Sequence, residues 1–329
     1  MCRITGFWDF KNSHSNNLLN QVEAMREVLV HGGPDDSGAY VDDNAGLALG
    51  HRRLSIIDLT NTGQQPMMHP SDRWVICYNG EVYNFKEVKA ELIAMGEIFK
   101  STSDTEVILH AWAKWGKKCL VKFRGMFAFA IWDKQNQELT IVRDRMGVKP
   151  LYYYHHKNIF MFASELKALH KHPDFKKELC QCAIEEFLTY GYISAPRSIF
   201  ENTYKLEPGN ILTINKSGNL NKEAYWQVPN ETNAKSFNEE EFLSSLEEEM
   251  IQAFKLRMVS DVPVGVFLSG GVDSSLLTAI LQSQSMNKIN TFTIGFDVDK
   301  YDESNAAAKI AKHLGTNHQQ LNCNLKEAL

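Results

Sequence analysis

The stretch VPVGVFLSGGVDSSLLTAI occupies Val262–Ile280 and predicts three structural elements in succession. Its apolar run, Val264–Leu268, has the length and composition of a buried β-strand. A glycine-rich turn, Ser269–Ser274, follows, and the apolar residues beyond it predict a helix. A strand joined to a helix by a tight turn is the first half of a βαβ unit. We therefore expect a sheet with helices packed against it.

The residues on either side of this stretch continue the alternation. Glu239–Met258 predicts an amphipathic helix, Thr291–Phe296 a strand, Ser304–Leu314 a helix and His318–Leu321 a further strand. Strands that alternate with helices predict a parallel, doubly wound α/β sheet. About three strands are fewer than the usual four to six of a stable sheet, so we expect the α/β domain at 239–329 to be incomplete.

A polar segment separates this domain from the residues before it. Val228–Asn238 contains proline and asparagine and lacks either hydrophobic period, which indicates a linker. We place the linker at 216–238 and a first domain at 2–215. This α+β domain has a helix predicted at Asp104–Trp115. Its predicted strands are Cys2–Trp8, Leu47–Ile57, Trp74–Tyr78, Met126–Trp132, Glu138–Val142 and Leu151–Tyr154.

Composition excludes several classes of protein. A chain of 329 residues with 43% hydrophobic residues is long enough for two globular domains. A net charge of -5 without a basic block argues against nucleic-acid or membrane-surface partners. The sequence has no apolar leader or membrane-length apolar run, so we expect a cytoplasmic protein. Its six cysteines lack zinc-site spacing, which indicates reduced thiols.

Cys2 directly follows the initiator methionine. Removal of Met1 would leave a cysteine that carries its own α-amine, a group that titrates near pH 7.7 to 8.0, roughly. Such an amine can take the thiol proton through a bridging water, so one residue supplies both nucleophile and base. The alternative reading of this residue alone is a cysteine without a function.

Four motifs accompany Cys2: HGGPD at His31–Asp35, RRLSIID at Arg52–Asp58, YNGEVYN at Tyr78–Asn84 and STSDTEV at Ser101–Val107. Together with Cys2 they resemble the class II glutamine amidotransferases. The resemblance implies an N-terminal-nucleophile (Ntn) hydrolase αββα sandwich, in which the thiolate attacks the amide carbon of glutamine. Asn79 and Gly80 match the family's oxyanion donors. Asn-Gly taken alone predicts a tight turn.

The same resemblance assigns residues to the amino-acid head group of glutamine. Arg53 matches the arginine that binds the α-carboxylate, for which a planar guanidinium is well suited. Asp104 matches the acceptor of the α-ammonium group, with Glu81 close to the oxyanion donors. Asp104 also has the character of a helix N-cap. The chain departs from the family at Gly32, where an arginine is usual.

The SGGVDS turn resembles the pyrophosphate loop of the ATP pyrophosphatases, which cleave ATP between the α and β phosphates. Glycine-rich turns at helix N-termini bind phosphates, and the absence of a Walker lysine disfavours kinases. The resemblance implies an adenine nucleotide α-hydrolase-like fold with Mg²⁺ at Asp273. The implied ATP-binding residues are Leu268, Ser269, Gly270, Gly271, Asp273, Ser274 and Ile294.

The order of the two domains resembles that of the glutamine-dependent asparagine synthetases, over essentially the whole chain. The resemblance implies that ammonia released at Cys2 attacks a β-aspartyl adenylate. Glutamine, aspartate and ATP are then the substrates, Mg²⁺ is the cofactor, a homodimer is allowed, and the chain is C-terminally incomplete.

Two other hypotheses stay open. The first is a related amidotransferase that acts on another carboxylate, such as a cell-envelope sugar acid, or glutaminase activity alone. The second is an idle binding or regulatory module, against which the presence of Cys2, Arg53, Asn79, Asp104 and Asp273 counts.

Overall fold

The computed structural model describes residues 2–11, 17–229, 238–298, 300 and 302–323. The chain divides into two compact units, Met1–Asn230 and Glu231–Leu329, and each is described separately. None of the helices within the described ranges is long and apolar enough to cross a membrane.

The first unit contains two six-stranded antiparallel sheets. Their strands in chain order are β1 (Arg3–Asp9), β2 (Asp36–Asp42), β3 (Leu47–Arg53), β4 (Met67–Met68), β5 (Trp74–Val82), β6 (Gly125–Asp133), β7 (Glu138–Arg143), β8 (Tyr152–His156), β9 (Ile159–Ala163), β10 (Thr203–Lys205), β11 (Asn210–Asn215) and β12 (Leu220–Ala224). The first sheet has the order β10-β8-β9-β1-β3-β2 and the second β12-β11-β7-β6-β5-β4.

The two sheets pack face to face through one apolar core. Trp8 of the first sheet meets Trp132 of the second with ring centroids 4.8 Å apart, and both side chains are buried. Fully burying a large apolar side chain contributes about 1.5–3 kcal/mol. Because the inner faces bury such residues along their length, the sheets are held as a sandwich.

Helices cover the outer faces of this sandwich. The helices of the first unit are α1 (Leu18–Glu27), α2 (Phe85–Ala94), α3 (Asp104–Trp115), α4 (Leu166–Leu169) and α5 (Gln181–Tyr190). Val22 of α1 and Leu169 of α4 share a buried cluster with Phe7 of β1. On the other side, Trp112 of α3 packs edge-on against Phe129 of β6, at 6.1 Å. The αββα sandwich predicted for this domain is confirmed.

The Asn-Gly pair of YNGEVYN lies within β5 and forms no turn, so the prediction made from that dipeptide alone is wrong. Gly80 stands opposite Phe127 of β6, and a Cβ at this position would collide with the carbonyl oxygen of Met126. The glycine therefore serves the close approach of two strands, which the local sequence does not reveal.

The first unit continues past residue 215, where the predicted first domain ended. β12 lies inside the segment 216–238 that was expected to be a linker, and it pairs antiparallel with β11. All five residues of β12 are exposed. An exposed edge strand is held by backbone hydrogen bonds and carries no hydrophobic alternation, which is why its sequence resembles a linker.

The second unit contains α6 (Glu239–Arg257), β13 (Gly265–Phe267), α7 (Val272–Ser283), β14 (Asn290–Phe296), α8 (Ser304–Leu314) and β15 (Asn317–Cys323). Its three strands pair in parallel in the order β13-β14-β15. The predicted parallel α/β arrangement is confirmed.

The core of the second unit is small. One buried cluster joins Leu268 to Ala307 and Ala311 of α8. On the strands, Ile294 and its neighbour Leu321 are both exposed. Because stability rises with the apolar area removed from water, we expect the second unit to be less stable than the first.

This difference predicts two separate unfolding transitions in urea. All six tryptophans, Trp8, Trp74, Trp112, Trp115, Trp132 and Trp226, belong to the first unit. Tryptophan fluorescence therefore reports the first unit alone, whereas far-UV circular dichroism reports both. We expect the dichroism to change at a lower urea concentration than the fluorescence. Coincident transitions by both probes would show that the two units unfold together.

Candidate active site

One cavity in the first unit collects the residues that the motifs of that domain singled out. It lies where β1 begins and β3 ends, beside the middle of β5 and the start of α3. All six predicted residues line it: Cys2, Arg53, Asn79, Gly80, Glu81 and Asp104. Residues from both sheets and from a helix thus converge on one space.

Cys2 is half-buried immediately before β1. The backbone N–H of Leu54 donates to its Sγ over 3.3 Å. Burial raises the pKa of the Cys2 thiol, and the contact with Leu54 opposes this only in part. The thiol is therefore protonated at neutral pH, and a base is needed to form the thiolate. The predicted removal of Met1 concerns a residue that lies outside the described ones.

Asn79 is the most unusual polar residue of the cavity. Its side chain is 0% exposed, and among the described residues neither its carboxamide oxygen nor its nitrogen has a hydrogen-bond partner. Leaving a buried polar group without a partner costs about 1–3 kcal/mol, so such groups are rare and call for a functional explanation. The amide is available to a ligand in the cavity.

Gly80 presents its backbone to the same cavity. The N–H groups of Tyr78 and Val82 leave β5 on the side away from β6, donating to Gln65 Oε1 (2.7 Å) and Asp104 Oδ2 (3.0 Å). Because backbone N–H groups alternate sides along a strand, the N–H of Gly80 points the same way. It lies between two satisfied donors and faces the cavity. Asn79 and Gly80 thus offer adjacent N–H donors.

Arg53 is a buried cation that is held by carbonyl groups. Its Nη1 donates to Thr60 O over 2.9 Å, and its Nη2 donates to the carbonyls of Ile57 (3.4 Å) and Asp58. Among the described residues it forms no ion pair with a carboxylate. Its positive charge is oriented by the 57–60 loop without being neutralised, which suits an anionic ligand.

Asp104 is a buried carboxylate at the first turn of α3. It accepts hydrogen bonds from Tyr78 Oη (2.7 Å) and the Val82 N–H (3.0 Å). Burial raises the pKa of Asp104, and these hydrogen bonds oppose the rise. The N-cap of α3 is Ser103, which accepts from Thr105 N over 3.2 Å. The prediction that Asp104 is the N-cap is therefore wrong, although a carboxylate in the first turn remains favoured by the helix dipole.

Glu81 and Lys149 add a second pair of charges. Burial raises the pKa of Glu81, repulsion from Asp104 raises it further, and Lys149 lowers it. Lys149 lines the cavity although the sequence analysis gave it no role. Lys149 lies in the stretch RDRMGVKPLYY, Arg143–Tyr153, which is part of the resemblance to the family, but nothing local indicates that its side chain is buried.

The space left by Gly32 is filled by another residue. A Cβ at Gly32 would lie 2.7 Å from Arg3 Cγ, so the Arg3 side chain packs directly on the glycine. Arg3 donates to Cys2 O (3.1 Å) and to Glu165 Oε1 (2.6 Å). His31 also contacts Glu165 Oε1, at 2.9 Å. The Arg3 side chain, from β1, thus occupies the space that a side chain at position 32 would enter.

In the second unit, Ser269–Gly271 of SGGVDS form a turn, and the other three residues are the first residues of α7. Gly270 has a φ of 85°, in the left-handed region that favours glycine. Ser269 Oγ and Ser274 Oγ lie 3.0 Å apart, and Asp273 is exposed in the first turn of α7. Hard cations such as Mg²⁺ prefer oxygen ligands of this kind, so the Asp273 carboxylate fits the role of one ligand.

Two of the implied ATP-binding residues, Leu268 and Ile294, differ in their position relative to the strand ends. Leu268 is buried just after β13, and its N–H donates to Phe292 O over 2.8 Å. Ile294 is exposed and lies two residues before the end of β14. The structure therefore places Leu268 at a strand end and Ile294 within its strand.

A separate cluster has the composition of a metal site. His69, Glu97 and His110 each place one donor atom within 4.8 Å of the others. Its carboxylate already has partners, since Glu97 Oε2 lies 2.8 Å from His110 Nδ1 within the cluster and Glu97 Oε1 lies 3.7 Å from Lys114 Nζ outside it. We interpret the cluster as a network of side chains within the fold.

Comparison with known proteins divides the chain in the same way. Residues 1–226 match the family described as glutamine amidotransferase domain, and residues 245–329 match the family described as asparagine synthase. Asparagine synthetase [glutamine-hydrolyzing] 3 of Bacillus subtilis (strain 168) is 35% identical over 97% of this chain and 54% of its own length. Putative asparagine synthetase [glutamine-hydrolyzing] 2 of Methanocaldococcus jannaschii is 36% identical over 97% of this chain and 64% of its own length. The chain thus spans 54% to 64% of these two relatives.

A solved structure agrees with the fold. The structure titled as the allosteric regulatory enzyme of purine biosynthesis matches with a TM-score of 0.50 and 18% identity, over 97% of this chain and 65% of its own. At this identity the likeness concerns the fold alone.

The Tyr78–Asp104 hydrogen bond predicts a pH-dependent loss of stability. Tyr78→Phe removes a donor that lowers the pKa of Asp104, so the pKa of the folded state should rise further. Where Asp104 is ionised, Tyr78→Phe should lower the free energy of unfolding by about 1.5–3 kcal/mol, the contribution of a hydrogen bond to a charged group. It should shrink as the pH falls through the pKa of Asp104, because a protonated carboxyl needs the donor less.

Urea unfolding followed by tryptophan fluorescence between pH 8 and pH 4.5 measures this loss. Tyr225→Phe is the matched control, since Tyr225 Oη donates over 3.0 Å to the backbone carbonyl of Arg143, which carries no charge at any pH. The loss of unfolding free energy in Tyr225→Phe should be nearly constant with pH. Equal pH dependence in the two variants would contradict an ionised Asp104.

Proposed function

The chain belongs to the glutamine amidotransferase domain family, and on that premise we propose that its first unit hydrolyses glutamine through Cys2. The observation that carries the proposal is the buried carboxamide of Asn79. It has no partner among the described residues and lines the same cavity as Cys2. A preorganised donor beside a nucleophile is the arrangement that acyl transfer needs.

The reaction begins with the thiol. After removal of Met1, the α-amine of Cys2 takes the thiol proton, and Sγ attacks the amide carbon of glutamine. The C–N bond then breaks, ammonia leaves with a proton, and a glutamyl thioester remains. Water hydrolyses the thioester to glutamate and regenerates the thiol. The raised pKa of the thiol explains why the adjacent base is required.

Negative charge develops on the amide oxygen in the tetrahedral intermediates. The Asn79 amide and the Gly80 N–H are placed to donate to that oxygen. Because both belong to the rigid centre of β5, no reorganisation is needed as the charge forms. Removing one such donor lowers kcat by about 10²–10³-fold in comparable sites.

The head group of glutamine has complementary charges in the same cavity. Arg53 binds the α-carboxylate, and Asp104 together with Glu81 binds the α-ammonium. Arg53 has no carboxylate partner among the described residues, and Asp104 is ordered by Tyr78 and Val82. Both groups are therefore fixed before the substrate arrives, which reduces the entropy lost on binding.

We further propose that residues 239–329 are the front part of an asparagine synthetase domain, so that the whole activity is glutamine-hydrolysing asparagine synthesis. The SGGVDS turn binds the phosphates of ATP, and Asp273 would hold Mg²⁺, which would neutralise the charge of pyrophosphate. Ammonia then attacks the β-aspartyl adenylate. The match of residues 245–329 to the asparagine synthase family supports this acceptor over a sugar acid.

We expect Cys2→Ala to abolish ammonia release from glutamine. No other cysteine can carry an α-amine, and the buried Cys77 has a pKa raised by burial. A residual rate above roughly a hundredth of wild type would contradict covalent catalysis. A chain that keeps Met1 should be equally inactive, because its cysteine lacks the free amine. Ammonia assays on both chains, with Cys182→Ala as the exposed-thiol control, test this.

Asn79→Ala and Arg53→Lys should separate kcat from KM. Asn79→Ala removes an interaction made in the transition state, so kcat should fall by about 10²–10³-fold. Arg53→Lys weakens a head-group contact present in both states, so KM should rise, with a loss of about 1.5–3 kcal/mol. Steady-state glutaminase kinetics measure both. An unchanged KM in Arg53→Lys would mean that another residue binds the carboxylate.

A further inference from the structure

The cavity wall contains a buried lysine that the proposed reaction does not yet use. Lys149 is 1% exposed, and it is the only lysine in the buried class among the described residues. Lysine is almost never fully buried without a charged counterpart, because removing an ammonium from water is costly. Burial accordingly lowers the pKa of Lys149, while Glu81 and Cys2 raise it. Because removing the Lys149 ammonium from water is costly, its buried position calls for a functional explanation.

The loop that carries Lys149 is ordered by a buried carboxylate. Asp144 accepts hydrogen bonds from the N–H groups of Phe127 (3.2 Å), Met146 (3.1 Å), Val148 (2.9 Å) and Lys149 (2.9 Å). Three of these donors belong to the loop itself, so the chain is wrapped around one anion. The backbone of Lys149 is therefore fixed directly.

Arg143 holds the same loop from its carbonyl side. Its Nε donates to Lys149 O (2.8 Å), its Nη2 to Gly147 O (2.8 Å) and its Nη1 to Leu206 O (2.6 Å). Gly147 has a φ of 65°, which lets the loop turn tightly. Both the N–H and the carbonyl of Lys149 are thus bonded to charged side chains, which fixes the backbone from which its side chain extends to line the cavity.

The ammonium neutralises the net negative charge of the cavity lining. Arg53 contributes one positive charge, and Glu81 and Asp104 contribute two negative charges when ionised. Without Lys149 the lining would carry a net charge of -1, which opposes the Cys2 thiolate and the oxyanion. With Lys149 the lining is balanced. A nearby opposite charge favours the ionised form of a group, and Lys149 interacts electrostatically with both Glu81 and Cys2, so this balance bears on reactivity.

The groups that face Lys149 come from every element around the cavity. Lys149 interacts electrostatically with Glu81 of β5, Cys2 before β1, Arg3 of β1 and Asp144 of its own loop. Arg53 from β3, Tyr78 from β5 and Asp104 from α3 line the same cavity.

We infer that Lys149 is a positioning residue of the glutaminase site, whose buried positive charge offsets Glu81 and favours the Cys2 thiolate. The inference rests on the proposed function. It extends that function by assigning the electrostatic control of the nucleophile to the 143–149 loop. A purely structural lysine would support the loop without affecting the thiol.

The test compares Lys149→Met and Lys149→Arg with wild type in chains from which Met1 has been removed. Iodoacetamide alkylation of Cys2 is followed by mass spectrometry of the N-terminal peptide across pH, with exposed Cys182 as internal reference. Lys149→Met should raise the midpoint of the Cys2 profile by about one pH unit. Glutaminase kcat should fall about tenfold or more while KM changes less. Lys149→Arg should keep most of both properties.

Two further variants separate charge from structure. Lys122→Met removes an exposed lysine paired with Glu91 at 2.8 Å, away from the cavity, and should leave the midpoint unchanged. Glu81→Gln combined with Lys149→Met restores the charge balance, so its midpoint should return toward wild type. If Lys149→Met alone fails to fold, the Cys2 midpoint of the double variant can still be compared with that of the wild type.

The outcomes distinguish this inference from the proposed function. Wild-type chain that releases no ammonia would overturn the glutaminase proposal. An unchanged Cys2 midpoint in Lys149→Met, or a double variant with no return toward wild type, would overturn the role of Lys149 even if glutamine is hydrolysed.

Discussion

The face-to-face packing of two antiparallel sheets sets the position of every residue in the candidate active site. Trp8 and Trp132 meet in the shared core, and this contact fixes β1 relative to the strands of the second sheet. Because Cys2 precedes β1 and Asn79 lies within β5, the nucleophile and the oxyanion donors face each other only when the sandwich is formed. The chemistry therefore requires an intact core.

Within that sandwich the polar residues of the cavity are ordered in advance. Asp104 receives two donors, Arg53 donates to three carbonyls, and Asp144 organises the loop of Lys149. The buried charges thus form a fixed environment with a low dielectric, in which each charge acts more strongly than it would in water. The Asn79 carboxamide differs from these groups, because neither its oxygen nor its nitrogen has a hydrogen-bond partner among the described residues.

The second unit depends less on a buried core and more on local contacts than the first unit does. Its parallel strands follow the predicted alternation, yet its buried cluster is small, and the phosphate-loop residues are largely exposed. Ordering in the SGGVDS turn comes from local contacts, namely the left-handed Gly270 and the Ser269–Ser274 pair. Such a turn is encoded locally, which explains why the sequence predicted it well.

Sequence patterns predicted the elements whose periodicity is strong, such as α3 and α8, whose bounds are the predicted ones. They also identified the six motif residues that line the cavity. They missed the edge strand β12, because its residues are all exposed and show no hydrophobic alternation. They also missed the placement of Asn79-Gly80 within a strand, because it follows from pairing with β6, which is distant in the chain. Lys149 and the packing of Arg3 on Gly32 were missed for the same reason. Burial and charge pairing arise between residues far apart in the chain, so no local pattern records them, and they exist only once the two sheets have packed.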